Sequence, residues 1–339
     1  MNTTARRSAL VTGASGFIGT HLVRRLVTRG YRVSCLVRAS SPIDELRAAG
    51  ADLLECEIDD RVGVSRAVAA SKARVVFHVA GLLRAMASRD FMRVNAEGVD
   101  AVAAACMAQA DPTVLVLVSS IAAAGPSGEA SKTERDSPLP VSDYGRSKLA
   151  GEEAAARYAA GVPITIVRPS VVFGAGDRGF FELWKPIART GIHVVPAGGD
   201  RRLSLIAVQD LVDCIVLAAE KGERLVPDGP GRGIYFAAAA DLSHRELGRA
   251  IADALGKADP RVVHLPEWAI RTIGFGGDVM SQIRRRPGWV GRDKVTEMLA
   301  GSWTCSSAKA RRQLGWSPAA PLQSRLRETA RWYFDAHWL

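Results

Sequence analysis

The 339-residue sequence predicts an α/β protein in which a doubly wound parallel sheet is followed by a smaller mixed α/β lobe. Strand and helix patterns alternate through the first half, a glycine-rich turn joins the first strand to the first helix, and the alternation breaks after Val172, where Gly and Pro become dense. We expect residues 1–172, together with roughly 205–238, to form the cofactor-binding sheet domain. Residues 173–204 and 239–339 are expected to form the lobe that binds the substrate.

The predicted elements of the sheet domain alternate between strand and helix. The run at 113–119 (TVLVLVS) is continuously apolar, which is typical of a strand covered on both faces. Because helices separate the strands, we expect parallel pairing with right-handed crossovers, and ligands at the carboxyl ends of the strands. Strands are predicted at 8–12, 31–37, 52–58, 74–79, 113–119, 163–167 and 234–237, and helices at 17–28, 91–109, 142–160 and 209–219.

The composition argues against several classes of protein. The hydrophobic fraction of 47% and the charged fraction of 24% are ordinary for a soluble globular chain. No signal-peptide pattern is visible, and no run approaches the ~20 apolar residues of a transmembrane segment. The five cysteines are scattered without a CxxC spacing, which argues against a zinc site and a disulfide framework. We therefore expect no metal and a cytoplasmic location.

The net charge of +10 fits an acidic ligand such as a cofactor phosphate, or an acidic surface. The basic residues are spread along the chain without a nucleic-acid-binding motif, so no nucleic-acid partner is expected. A basic surface that only keeps the protein soluble explains the charge equally well.

A glycine-rich turn follows the first strand, where residues 11–19 read VTGASGFIG. Gly13, Gly16 and Gly19 permit a tight turn and a close backbone approach to a pyrophosphate. The helix that follows offers unpaired N–H groups at its N-terminus. With a strand before it and a helix after it, the turn predicts a dinucleotide site on a Rossmann sheet.

The second strand ends Leu36-Val37-Arg38, where NAD-binding folds usually carry an acidic residue for the ribose hydroxyls. A guanidinium pairs with a 2′-phosphate, whereas a carboxylate repels it. Arg38 therefore favours NADP(H) over NAD(H). The alternative is that Arg38 is a solvated surface residue.

A tyrosine and a lysine stand four residues apart in Tyr144-Gly-Arg-Ser-Lys148, which places them on one helix face. Free tyrosine has a pKa of roughly 10, and a nearby ammonium favours the phenolate and lowers that pKa. The segment follows the strand 113–119, whose end carries Ser119 and Ser120. A serine hydroxyl there is placed to hydrogen-bond a substrate oxygen.

These motifs resemble the extended short-chain dehydrogenase/reductase superfamily, also called the NAD-dependent epimerase/dehydratase family, over nearly the whole chain. One matching segment, VQDL at 208–211, lacks the histidine that usually begins it. The segments are TGASGFIG at 12–19, FHVAG at 77–81, VNAEG at 94–98, SSIAAAG at 119–125, YGRSK at 144–148, RPSVVFG at 168–174 and VQDL at 208–211.

The resemblance implies roles for individual residues. Tyr144 is the implied general acid/base, Lys148 the partner that lowers its pKa, and Ser120 the hydroxyl that orients the substrate. Asn95, similar to the family's helix asparagine, completes the implied catalytic set. The implied cofactor-binding residues are Gly13, Ser15, Gly16, Phe17, Ile18, Gly19, Arg38, Glu57, Ile58, Val79, Ala80, Gly81, Ser119, Tyr144, Lys148, Pro169, Ser170, Val171 and Val172.

Within the superfamily, the segment SSIAAAGP at 119–126 is similar to 3β-hydroxysteroid dehydrogenases, and the LVR ending of the second strand resembles dihydroflavonol reductases. The implied reaction is hydride transfer between NADP(H), or NAD(H), and a carbonyl or alcohol carbon of an apolar or aromatic small molecule. The resemblance also implies a homodimer. Two alternatives stay open: a nucleotide-sugar epimerase with tightly bound NAD, and a non-catalytic NADP-sensing protein.

The apolar segment 265–280 is followed by three arginines, Arg284 to Arg286, and the stretch from Ser281 to Arg312 carries eight basic and two acidic residues. One interpretation is a substrate lid beside a basic patch. Such a patch would meet a substrate on a phosphopantetheine carrier or CoA, or one from an anionic membrane surface. The other interpretation is an amphipathic helix packed on the lobe, with solvated arginines.

Overall fold

The computed structural model describes residues 7–196, 201–227 and 229–339. Residues 1–6, 197–200 and 228, which the predicted domain ranges include, lie outside the described residues. The strands are β1 (Ser8–Thr12), β2 (Arg32–Val37), β3 (Asp52–Glu55), β4 (Val75–His78), β5 (Val114–Val118), β6 (Ile164–Pro169), β7 (Val171–Phe173), β8 (Ile192–Pro196), β9 (Arg202–Ala207), β10 (Ile234–Ala237), β11 (Ala240–Ser243) and β12 (Arg261–Leu265).

The helices of the described chain cover the sheets and build the smaller lobe. They are α1 (Phe17–Thr28), α2 (Asp44–Ala48), α3 (Arg61–Ser71), α4 (Ser88–Met92), α5 (Gly98–Met107), α6 (Ile121–Ala124), α7 (Asp143–Ala156), α8 (Phe181–Thr190), α9 (Val208–Lys221), α10 (His244–Ala254), α11 (Glu267–Arg284), α12 (Arg292–Leu299), α13 (Ala308–Leu314) and α14 (Leu322–Asp335). None of these described helices has the length and apolar character needed to cross a bilayer.

Seven of the described strands form one sheet in the order β3-β2-β1-β4-β5-β6-β10, and every neighbouring pair in it is parallel. This confirms the predicted doubly wound α/β fold. The chain runs outward from β1 to β3, then returns to β4 on the other side of β1. The carboxyl ends of β1 and β4 therefore flank the point where the order reverses, which is where such sheets bind ligands.

Both faces of this sheet are covered by apolar helix faces. Leu22 and Leu26 of α1 pack with Ile215 of α9 on one side, and Val102 of α5 packs with Ala154 of α7 on the other. The central strand β1 is buried along its whole length. The continuous apolar character of the strands follows from this double covering.

Three predicted elements differ from the structure by more than two residues or in the type of helix. β3 ends at Glu55 instead of 58, because the chain turns there toward α3, whose first turn is capped by Asp60. The helix predicted at 142–160 ends at Ala156. The helix predicted at 91–109 consists of α4, a π-helical segment Arg93–Glu97 and α5. A π-helical turn inserts an extra residue and re-aims side chains, often at functional sites.

The smaller lobe contains a three-stranded sheet, in which β9 pairs in parallel with β7 and antiparallel with β11, and a parallel pair of β8 with β12. The mixed character predicted for the lobe is confirmed for the described residues. Its core includes buried aromatic and aliphatic side chains of Phe173, Trp184, Leu205, Leu247 and Tyr333.

Candidate active site

The glycine-rich turn packs against the end of β4 at the point where the strand order reverses. Gly13 has a φ of +66°, and a Cβ built there would lie 2.6 Å from the backbone nitrogen of Ala80. A Cβ on Gly19 would overlap the carbonyl oxygen of Gly13. Only glycine fits at these two positions, and the fit brings the backbone of the turn close to residues 79–81.

The N-terminus of α1 is open to a ligand. Gly16 stands at its N-cap without a side-chain hydrogen bond to the helix, and the first turn contains no acidic residue. The first N–H groups of the helix are therefore available to an anion. Ser15, Phe17 and Ile18, which are predicted to contact the cofactor, are partly exposed around this end.

Arg38 is exposed directly after β2, and its guanidinium has no ion-pair partner among the described residues. Its backbone N–H donates to the hydroxyl of Ser41 at 3.0 Å, which shapes the turn that follows the strand. Glu57 is exposed just beyond β3. The Ile58 side chain packs against Gly98, where an added Cβ would lie 3.1 Å from Ile58 Cγ1. Arg38 thus presents a free cation at the edge of the predicted cofactor groove.

The structure brings Ser120, Tyr144 and Lys148 together. The Ser120 hydroxyl lies within hydrogen-bonding reach of the Tyr144 phenol, in the first turn of α7. Ser120 caps α6, and its hydroxyl accepts from the backbone N–H of Ala122 at 3.1 Å. Lys148 is buried one turn after Tyr144, and its Nζ donates to the carbonyl of Val118 at 2.8 Å.

Burial dominates the protonation of this set. It raises the pKa of Tyr144 above its ordinary value, which the hydrogen bond from Ser120 opposes. It lowers the pKa of Lys148 to about 8, and the Glu152 carboxylate opposes this. The lowering of the Tyr144 pKa predicted from Lys148 is not what this arrangement produces, because burial of the phenol acts in the opposite direction. The phenol is held neutral, the form that donates a proton.

Asn95 lies in the π-helical segment and is fully hydrogen-bonded. Its Nδ2 donates to the carbonyl of Leu82 at 3.0 Å and to the hydroxyl of Ser147 at 2.9 Å. Its Oδ1 accepts from the backbone N–H of Leu82 at 2.8 Å. Asn95 therefore joins the segment after β4 to α7. A Cβ on Gly81 would lie 3.0 Å from Asn95 Oδ1 and 3.6 Å from Lys148 Nζ, so the absence of a side chain at Gly81 lets the backbone approach both closely.

A buried ion pair lies behind the catalytic set, and the sequence analysis did not identify it. Arg168 Nε and Nη2 contact the two Glu152 oxygens at 2.9 and 2.5 Å. The side chains are only 2% and 5% exposed. Ser119, predicted to touch the cofactor, donates its hydroxyl to Glu152 instead. The available signals were the position of Glu152 four residues after Lys148 and the arginine that begins RPSVVFG.

The predicted residues 169–172 and 79–80 line the neighbouring strand ends. Val171 and Val172 are half-buried, as are Val79 and Ala80. The Ser170 hydroxyl is buried without a hydrogen-bond partner among the described residues. A buried hydroxyl without a partner is costly, and a polar group of a bound ligand would satisfy it. The open α1 N-terminus and Ser170 both fit a dinucleotide.

Asp293, in the first turn of α12, connects the smaller lobe to Tyr144. Its carboxylate accepts from the backbone N–H of Asp143 at 2.6 Å and of Tyr144 at 3.2 Å. Glu297, one turn on, accepts from the hydroxyl of Ser142 at 2.7 Å. The lobe thus caps the catalytic helix. Nothing in the local sequence indicates a contact between residues 150 apart.

The comparisons with known proteins agree with this geometry. Residues 9–230 match the model of the "NAD dependent epimerase/dehydratase family". The chain is 33% identical to a ceramide reductase of Caulobacter vibrioides over 100% of this chain and 98% of the relative, and 25% identical to a UDP-glucose 4-epimerase of Vibrio cholerae over 98% and 97%.

Among solved structures, the UDP-glucose 4-epimerase of Thermus thermophilus in complex with NAD superposes with a TM-score of 0.75 at 24% identity, covering 97% of this chain and 99% of that one. This likeness shows the fold. The family match and the reductase and dehydrogenase relatives are consistent with a nicotinamide cofactor. The chain belongs to the NAD-dependent epimerase/dehydratase family and is an NAD(P)-dependent oxidoreductase of the extended short-chain type.

Proposed function

We propose that the protein uses NADPH to reduce a ketone of an apolar, long-chain small molecule, or NADP⁺ to oxidise the corresponding secondary alcohol. The observation that carries the proposal is the Ser120 hydroxyl within reach of the Tyr144 phenol, with the buried Lys148 one helical turn away. The full-length likeness to a ceramide reductase supports the long-chain substrate class.

The side chains divide the work of such a reduction. The cofactor, when bound, supplies or accepts a hydride at the nicotinamide ring. Tyr144, neutral in this environment, donates its proton to the carbonyl oxygen. Ser120 hydrogen-bonds the same oxygen and fixes its position. The Lys148 ammonium, buried close to Gly81, provides positive charge beside the reacting groups.

Arg38 carries the proposed preference for NADPH. Its free guanidinium lies after β2, where it can pair with a 2′-phosphate. Charge-assisted hydrogen bonds contribute roughly 1.5–3 kcal/mol, so the preference should reach about tenfold or more. The neighbouring turn residues 39–41 contain no carboxylate that would hold the free ribose hydroxyls of NAD.

The first experiment is a titration of NADPH and NADH against the wild type and Arg38→Ala, followed by nicotinamide fluorescence. Arg47→Ala, an exposed arginine on α2, is the matched control. NADPH should bind at least about tenfold more tightly than NADH, and only Arg38→Ala should remove the difference. Equal binding of NADH, or NAD that copurifies with the protein, would reject the NADPH preference and favour a nucleotide-sugar epimerase.

Turnover separates an enzyme from a cofactor-sensing protein. A series of long-chain ketones is compared with UDP-glucose as substrate for the wild type and Tyr144→Phe. The proposal expects ketone-dependent NADPH oxidation that Tyr144→Phe largely abolishes while NADPH still binds. Conversion of UDP-glucose without net NADPH oxidation would overturn the ketone assignment.

A further inference from the structure

The outer face of α11 is apolar and exposed. Six large side chains on it are between 41% and 72% exposed: Trp268, Ile273, Phe275, Val279, Met280 and Ile283. Single exposed apolar residues are ordinary on protein surfaces, but a contiguous set on one helix marks an interaction site.

The six residues share one side of the helix. At about 100° per residue they fall within an arc of about 160°. The other residues in that arc are Ala269, Thr272 and Gly276, so the arc carries no charge. The charged side chains Glu267, Arg271 and Asp278 lie outside it, on one flank. An amphipathic helix of this kind has its apolar face directed away from its charges.

The opposite side of α11 is already occupied by the protein. Ile270 and Gly274 are its buried residues, and a Cβ on Gly274 would lie 2.7 Å from Val295 of α12. A Cβ on Gly277 would overlap the carbonyl oxygen of Val290. These close contacts fix the orientation of α11, so its apolar arc is directed outward and lies parallel to the surface of the lobe.

Positive charge adjoins the apolar arc at its C-terminal end. Arg284, Arg285 and Arg286 are exposed, and none has an ion-pair partner among the described residues. By contrast, Arg271 and Arg292 are both paired with carboxylates. Three unpaired arginines beside an apolar helix face complement a surface that is apolar inside and anionic outside.

The loop after α11 contacts the segment that follows β4. Arg84, in the segment after β4, stacks over the ring of Trp289 at 3.7 Å and donates to the carbonyl of Pro287 at 3.1 Å. Its neighbours Leu83 and Met86 are also exposed apolar residues. This segment includes Leu82, which Asn95 holds beside Lys148. The loop after α11 therefore contacts a segment that carries exposed apolar side chains and borders the catalytic set.

We propose that α11 and Arg284–Arg286 dock the protein on the surface of an anionic lipid bilayer. The apolar arc inserts among the acyl chains and the arginines contact the lipid phosphates, with the groove at the bilayer edge. The proposal deepens the proposed function, since it gives a long-chain ketone a route to the site. It is tested without cofactor or substrate, so its failure leaves the reductase assignment intact.

The test is cosedimentation of the purified protein with vesicles of phosphatidylcholine alone and of phosphatidylcholine mixed equally with phosphatidylglycerol. The wild type should bind the anionic vesicles more strongly, and salt should weaken that binding. Each arginine at such a surface contributes about fivefold to partitioning. A variant with Arg284, Arg285 and Arg286 replaced by Gln should therefore bind the anionic vesicles on the order of a hundredfold less.

A variant with Trp268, Phe275 and Ile283 replaced by Ser should lose binding to both vesicle types, by about tenfold or more. Two matched controls change exposed residues on other surfaces and should bind like the wild type. The controls replace Val62, Leu139 and Phe334 by Ser, and Arg66, Arg245 and Arg331 by Gln.

Both α11 variants should show the far-ultraviolet circular dichroism of the wild type and unfold cooperatively on heating, which shows that they are folded. The proposal is overturned if both variants sediment with vesicles like the wild type, or if the wild type does not bind. It is also overturned if light scattering shows a dimer that the apolar variant converts to a monomer without any vesicle binding. The apolar arc would then be an interface between two copies of the chain.

Discussion

Replacing Asp293 by asparagine tests whether the smaller lobe sets the position of the catalytic tyrosine. The carboxylate accepts from two backbone N–H groups, those of Asp143 and Tyr144. Asparagine preserves the size of the side chain but replaces one acceptor oxygen with an NH₂ group. One of the two N–H groups then faces a donor and loses its partner.

The size of the effect follows from these contacts. A hydrogen bond to a charged group contributes roughly 1.5–3 kcal/mol, and half-burial of Asp293 places it near the lower end. Asp293→Asn should therefore lower the free energy of unfolding by about 1.5–2 kcal/mol, and Tm by about 2–4 °C per kcal/mol. Displacement of Tyr144 by a fraction of an ångström should lower kcat by about tenfold, since about 1 Å can cost a hundredfold.

The assay combines kcat for ketone reduction, Kd for NADPH and Tm. Asp44→Asn is the matched control, because Asp44 lies in the first turn of α2, exposed and without a side-chain hydrogen bond to the helix. Asp293→Asn should lower kcat and Tm and leave Kd unchanged. A lower Tm with an unchanged kcat would refute the positioning role and leave Asp293 a purely structural cap.

Three further outcomes are expected. Burial lowers the pKa of Lys148 to about 8, so the ammonium is lost as the pH rises through that value. The kcat/KM of the wild type for ketone reduction should therefore fall above about pH 8. A kcat/KM that stays constant up to about pH 10 would contradict this expectation. Glu152→Gln leaves the buried Arg168 without its counter-charge, so the free energy of unfolding measured by chemical denaturation should fall by about 3–5 kcal/mol. Glu153→Gln, at an exposed neighbouring position, should leave the free energy of unfolding almost unchanged. If the two variants lost the same amount of stability, the buried pair would not be important for stability. In Gly13→Ala the new Cβ is strained at a positive φ and crowded by the backbone that follows β4, so NADPH binding measured by fluorescence should be abolished. Gly128→Ala, whose Cβ meets open space, should bind NADPH like the wild type. NADPH binding retained by Gly13→Ala would show that the turn can shift.

The features predicted well from the sequence have local causes. β1, β5 and β10 were placed to within a residue because their apolar runs end at turn residues. The glycine turn was found because the positive φ of Gly13 and the close contact of Gly19 with Gly13 both arise within a few residues. The spacing of Tyr144 and Lys148 follows from one helix, so it is visible in the sequence.

The features that were missed depend on contacts between distant segments. The capping of α7 by Asp293 and the pairing of Arg168 with Glu152 exist only once lobe and sheet have packed. The π-helical segment around Asn95 follows the same rule, since the apolar periodicity of 91–109 does not show an inserted residue. The protonation of Tyr144 was also mispredicted, because burial is a property of the assembled site.

The order of the strands has a consequence for the growing chain. β6 ends at Pro169, but its outer neighbour β10 begins only at Ile234, after α8 and the strands β7 to β9 have been made. Until then β6 is an apolar edge strand, and the face later covered by α9 is bare, which exposes the nascent protein to aggregation. A polypeptide released between these two strands should therefore need a chaperone. The seven-stranded sheet is complete only after the first part of the smaller lobe has left the ribosome.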